Sequence, residues 1–278
     1  MQDGRTGLSQ STIAILVFDI DGVVRDVGNS YRRALADTVE QFTAGAYRPT
    51  PVDIDTLKGE GIWNNDWEGS CELVYRYFER QGTGRSQIAL DYDVVVQFFQ
   101  SRYRGADPDH WTGYICDEPL LMSPSYLQAL TEAGVVWGFF SGATRGSATF
   151  VLEKRLELRS PILVAMEDAP GKPDPTGLHD TIRQLEARHD LPAALPVIYA
   201  GDTVADMQTV VKARSQDPSR AWVGVGILPP HVLQPADYAQ RYGESLREAG
   251  ASLVLDQVQA LTVETIRRLP QASRADLT

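Results

Sequence analysis

Two carboxylates two residues apart, Asp19 and Asp21, close the apolar run Ile15 to Phe18 and are followed by the turn-forming Gly22. Side chains alternate along an extended strand, so residues 19 and 21 share one side, and Gly22 lets the backbone bend there and approach a ligand closely. One acid can then attack an electrophile while the other moves the leaving-group proton. Three later segments supply what phosphoryl transfer also needs. Ser141-Gly142-Ala143-Thr144 follows the apolar run Val135 to Phe140. Lys172 stands alone in the loop Gly171-Lys172-Pro173-Asp174-Pro175. Asp202 and Asp206 follow Pro196 to Ala200. Hydroxyl and amide donors, one fixed positive charge and oxygen ligands for a divalent cation are the parts that let an anion approach a phosphate.

The elements that must carry these residues are apolar runs of strand length at Ile13 to Phe18, Val135 to Phe140, Pro161 to Met166, Val197 to Ala200, Trp222 to Ile227 and Ser252 to Leu255. Amphipathic segments separate most of them, at Pro124 to Ala133, Ser147 to Leu156, His179 to His189 and Ala205 to Ala213. This alternation predicts an α/β fold, a doubly wound parallel sheet with helices on both faces and its crevice outside the strands' carboxyl ends. Every segment named above falls at such an end.

The interval 27–112 breaks the pattern. It reads as helices at Asn29 to Thr43, Trp67 to Gln81 and Asp91 to Arg104, interrupted by Pro49-Thr50-Pro51 and Gly82-Thr83-Gly84. We read it as a helical cap inserted into a discontinuous core of residues 13–26 and 113–269, with disordered ends at 1–12 and 270–278. A chain of 278 residues is long enough for one such core and one module.

Composition bounds the partners. A net charge of −11, from 26 basic against 37 acidic residues, excludes a general affinity for nucleic acid or anionic membranes. Cys71 and Cys116 lack paired spacing, and four scattered histidines offer no imidazole cluster, which suits a reducing cytoplasm. No stretch approaches the roughly 18 uninterrupted apolar residues of a membrane span. A small metabolite is the partner expected; whether the chain is a monomer or a homodimer is left open by the residues.

In the order and spacing of all four motifs the chain resembles the haloacid dehalogenase superfamily of aspartate-nucleophile hydrolases, in the helical-cap branch near phosphoglycolate phosphatase and β-phosphoglucomutase. Asp-x-Asp-Gly falls on Asp19 to Gly22, the hydroxyl motif on Ser141, the lysine motif on Lys172, and the acidic Gly-Asp-x-x-x-Asp motif on Asp202 and Asp206. The resemblance implies a Rossmann-like core and a phosphatase acting on a small phosphomonoester through an aspartyl-phosphate. It gives Asp19 the role of nucleophile and Asp21 that of general acid and base. It implies Mg2+ held by the Asp19 carboxylate, the Asp21 carbonyl and Asp202, with Asp206 supporting that shell. Lys172, Ser141 and the amides of Gly142 and Ala143 would hold the phosphoryl oxygens, with Thr144 and Arg145 as weaker candidates.

By position, Leu57 to Trp67 resembles the branch's specificity loop, making Lys58, Asn64 and Asn65 candidates for contacting the leaving group, while Trp63 and Trp67 read as cap core. The Asn-Asn-Asp-Trp run departs from the familiar caps, and so does an insertion between Leu228 and Glu248, whose segment Pro235 to Glu248 reads as helical. Asp21 argues against a dehalogenase, since a halide leaves without a proton. A phosphonoacetaldehyde hydrolase would need Lys58 as its Schiff-base lysine. A β-phosphoglucomutase-like mutase shares all four motifs and stands as the alternative, with a catalytically inactive binding module as the non-enzymatic one.

Overall fold

The apolar runs pair into one six-stranded sheet in the order β3-β2-β1-β4-β5-β6, with every pairing parallel. The structure is a computed structural model that describes residues 12–63 and 65–275. The strands are β1 (Ala14–Phe18), β2 (Val135–Phe140), β3 (Leu163–Val164), β4 (Val197–Gly201), β5 (Trp222–Ile227) and β6 (Ala251–Leu255). The fold is α/β and Rossmann-like. All five residues of β1 are buried. Leu16 and Phe18 face one apolar cluster with Phe139, Ile198 and Val225, while Ile15 and Val17 face the other with Phe140, Ile182 and Tyr199. Burial on both faces is why this strand reads as continuously apolar.

Ten α-helices complete the described chain: α1 (Tyr31–Phe42), α2 (Pro51–Lys58), α3 (Asp66–Arg80), α4 (Tyr92–Tyr103), α5 (Pro124–Glu132), α6 (Arg145–Thr149), α7 (Thr176–His189), α8 (Val204–Gln216), α9 (Ala236–Glu248) and α10 (Val263–Ala275). The first four stand between β1 and β2. They share a separate apolar cluster in which Leu35, Val39, Ile54, Leu57, Val74 and Phe99 are buried and Trp63 and Trp67 pack at its margin.

Three elements differ from the sequence expectations. Residues Pro49-Thr50-Pro51 start a helix: Thr50 and Asp53 form a reciprocal capping box and Pro51 takes the first helical position, where its missing N–H costs nothing. The third strand shrinks from Pro161 to Met166 to the pair Leu163–Val164 at the sheet edge. The tail from Pro270 was expected to be disordered, and α10 runs on through it to Ala275. Residues 1–11, most of the N-terminal segment expected to be disordered, and 276–278 lie outside the described residues. Among the described residues, no helix is long and apolar enough to cross a membrane.

Candidate active site

β1 lies between β2 and β4, at the point where the strand order reverses, so a crevice opens at its carboxyl end. Asp19 is the first residue beyond the strand and is still tied to it, its N–H donating to the carbonyl of Ala200 at 2.8 Å. Gly22 then turns with φ +74°, and a Cβ there would sit 2.1 Å from Asp202 Oδ2. Only glycine lets the β1 and β4 turns approach this closely.

Lys172 reaches into that gap almost completely buried, its Nζ 2.8 Å from Asp19 Oδ1 and 2.6 Å from Asp206 Oδ1. The rings of Phe140 and Tyr199 lie 5.1 and 5.3 Å from the ammonium. Asp206 holds the lysine from behind. Its Oδ1 accepts from Lys172 and from the Tyr199 hydroxyl, and its Oδ2 accepts from the N–H and hydroxyl of Thr203, closing the capping box of α8. Gly201 is required here too, since a Cβ would meet Asp206 Cβ at 2.4 Å.

The electrostatics follow from burial. Desolvation, with Asp206 and Asp21 nearby and Lys172 only partly compensating, pushes Asp19 up to about 7. Burial beside Asp206 and Asp19 raises Asp202 well above the ordinary carboxylate range. Burial opposes the charge of Asp206 as well, but the Lys172 ammonium and the Thr203 bonds hold it below that range. The lysine is raised in turn, because Asp19 and Asp206 outweigh its own desolvation.

Oxygens of Asp19, Asp202 and Asp206 lie within 4.8 Å of one another. Three buried carboxylates facing one ammonium leave an excess of negative charge, and a hard divalent cation takes such a set of oxygens. The residues fit Mg2+. Both oxygens of Asp206 already accept bonds from Lys172, Tyr199 and Thr203, so Asp19 and Asp202 are the carboxylates of this set with the most free capacity for it.

Ser141, 1 % exposed, lies at the end of β2, its Oγ accepting from the Ala143 N–H at 3.1 Å. Ser141, Gly142 and Ala143 line one cleft with Asp19, Asp21, Lys172 and Asp202, and the helical insertion adds Tyr31, Arg32, Lys58 and Asp66. The two weaker candidates do other work. Thr144 caps α6 and accepts from Arg104, whereas Arg145 pairs with Asp168.

Of the candidates from the insertion, Lys58 reaches the cleft and pairs with Asp66 at 2.8 Å. Asn65 caps α3, accepting from the N–H groups of Trp67 and Glu68, and lines an adjoining cavity with Ser141, Gly142 and Lys172. Asn64 lies outside the described residues. The segment after β5 is a wall of the cleft: Tyr242 of α9 lines it and donates its hydroxyl to the Asp202 carbonyl at 3.0 Å. Sequence reasoning missed Tyr242, Tyr199, Arg32 and the buried Arg25, which bonds Asp21. An arginine one residue after the apolar pair Val23-Val24 was the one available signal.

A family model described as haloacid dehalogenase-like hydrolase matches residues 13–214. The chain belongs to this family. Similar solved structures include a phosphonoacetaldehyde hydrolase-like protein from Oleispira antarctica, 16% identical with a TM-score of 0.63 over 98% of each chain. Another is a putative β-phosphoglucomutase from Thermotoga maritima, 15% identical, TM-score 0.55, covering 94% of this haloacid dehalogenase-like chain and 99% of that one. A third is the phosphatase Tt82 from Thermococcus thioreducens, 22% identical, TM-score 0.56, covering 76% and 92%. At these identities the likeness is one of fold. A protein named imidazoleglycerol-phosphate dehydratase from Phytophthora nicotianae is 29% identical over 273 residues, 95% of this chain, which spans about half (55%) of that protein's length.

Proposed function

We propose that this hydrolase is a Mg2+-dependent phosphatase of a small phosphomonoester metabolite, working through an aspartyl-phosphate. The observation that carries the reading is the convergence of Asp19, Lys172 and Asp202 beneath the Ser141 turn, with Asp21 on the same cleft. Asp19 attacks phosphorus in line, Asp21 gives the leaving alcohol its proton and then takes one from the water that cleaves the acyl phosphate. Lys172, the Ser141 hydroxyl and the amides of Gly142 and Ala143 hold the phosphoryl oxygens as charge spreads over them. Mg2+, held by Asp19 and Asp202, would supply the positive charge that lets a carboxylate approach a phosphate dianion. Tyr31, Arg32, Lys58 and Asp66 form the wall that the leaving group meets.

The test is phosphate release from p-nitrophenyl phosphate and a metabolite panel, with Mg2+ and with EDTA. The panel includes sugar phosphates, phosphorylated hydroxy acids and phosphates of imidazole-bearing alcohols, the last prompted by the dehydratase relative. Asp19→Asn is expected to remove turnover while the fold persists; wild-type rates in that variant would refute the proposal. Likeness of fold to the Thermotoga protein keeps a mutase reading open, and isomerisation of a sugar phosphate primed with its bisphosphate would favour it over hydrolysis.

A further inference from the structure

Arg25 is fully buried, a cation the proposed chemistry leaves without a task. Its Nε and Nη2 lie 2.6 and 2.5 Å from Asp21 Oδ1, and its Nη1 donates to Glu118 Oε2 at 3.0 Å. Glu118 Oε1 accepts from the Ser30 hydroxyl at 2.5 Å. The backbone is fixed as well: Gly22 N–H donates to the Arg25 carbonyl at 2.9 Å, and Asp26 N–H donates to the Pro119 carbonyl at 2.8 Å. The guanidinium thus joins the two crossings between core and helical insertion, and its fork ends on one oxygen of Asp21, whose carboxylate lines the cleft.

We infer that Arg25 is a positioning residue for proton transfer, fixing the Asp21 carboxylate by its Oδ1 and leaving Oδ2 outside that fork to meet the leaving group. The inference rests on the phosphatase reading. As the P–O bond to the leaving group breaks, its electron pair stays on the alcohol oxygen, which takes the Asp21 proton. The carboxylate left behind keeps its place on the Arg25 fork, so its geometry is unchanged between the two steps. In the second step the same carboxylate takes a proton from the attacking water. Glu118 and Ser30 hold the far side of the guanidinium and keep its fork on Asp21.

Leaving groups separate this role from a merely structural one. An alkoxide needs a proton to depart, whereas p-nitrophenolate departs without one. With Mg2+ present, phosphate release from p-nitrophenyl phosphate and from propyl phosphate is compared for the wild type, Asp21→Asn, Arg25→Met and Arg25→Lys. The expected result is that Arg25→Met loses at least tenfold more kcat on the propyl ester than on the nitrophenyl ester, in the direction of Asp21→Asn. Arg25→Lys, which keeps a charge but not the fork, loses selectively to a smaller extent. Equal losses on both esters, or none, overturn the assignment. Should Arg25→Met fail to fold, Arg25→Lys decides by the same criterion. A wild type that hydrolyses neither ester removes the phosphatase reading and the positioning role with it, while wild-type turnover with unselective Arg25 variants removes the positioning role alone.

Discussion

Lys172 does two things at once, and the partners of its ammonium explain why neither can be removed cheaply. It offsets Asp19 and Asp206 in a space where an unpaired charge costs about 3–5 kcal/mol, and under the proposed reading its ammonium, 2.8 Å from Asp19, also binds phosphoryl oxygens. Lys172→Met is therefore expected to cut kcat on p-nitrophenyl phosphate by about 10²- to 10³-fold and to lower the melting temperature of the metal-free protein. A variant that melts like the wild type would show that the carboxylates shed their charge without it. Asp19, Lys172 and Asp202 were legible in the sequence because the chemistry prescribes their types and the strand ends prescribe their places. Arg25 and Tyr199 were not. Arg25 takes its meaning from Glu118, 93 residues away, and Tyr199 from the turn of chain that brings Asp206 over its hydroxyl.

At the level of elements, the segment after β5 acquires a purpose that its composition hid. Asp55 of α2 accepts from His231 at 3.1 Å, from the Tyr238 hydroxyl of α9 and from Arg32 of α1, so one carboxylate clasps the helical insertion to the core beside the cleft. Burial opposes the charge of Asp55, yet the His231 and Tyr238 bonds and the Arg32 guanidinium together hold its pKa below the ordinary 3.8. A depressed carboxylate pKa contributes stability that is present in full above the unfolded value and is lost as pH falls through the folded one. Asp55→Asn should cost about 1–3 kcal/mol near pH 7, seen as a lower denaturation midpoint, and the gap to the wild type should narrow below about pH 3.8. A gap that is already zero at pH 7 would mean the clasp contributes nothing. The helix of α9 was readable from its own pattern, but the clasp was not, since its two halves are 176 residues apart. For α2, the prolines that looked like a break were its start signal, and only the Thr50–Asp53 box distinguishes the two.

For the whole molecule, the parallel sheet was legible because burial on both faces forces continuous apolar runs, and the edge strand β3 was misjudged in length where that pressure ends. The same architecture creates a conflict that a bound metal ion would resolve. The sheet brings the β1 and β4 ends together, and with them two buried carboxylates, Asp19 and Asp202, both raised in pKa by burial and by neighbouring carboxylates, Asp206 and Asp21 beside Asp19, Asp206 and Asp19 beside Asp202. Without a cation the fold carries this repulsion as a loss of stability; a ligand bound only by the folded state returns stability by about 2.7 kcal/mol at a hundred times its dissociation constant. The wild type should thus melt several degrees higher in saturating Mg2+ than in EDTA. Asp202→Asn, which removes one charge and keeps the shape, should melt above the wild type in EDTA and gain little from Mg2+, so that the order of the two proteins narrows or inverts when the metal is added. Differential scanning calorimetry of both, with and without Mg2+, reads all four values. If Asp202→Asn is instead the less stable protein in EDTA, the carboxylate is held by bonds rather than strained by its neighbours, and the charge conflict at the centre of the sheet is not what the cation relieves.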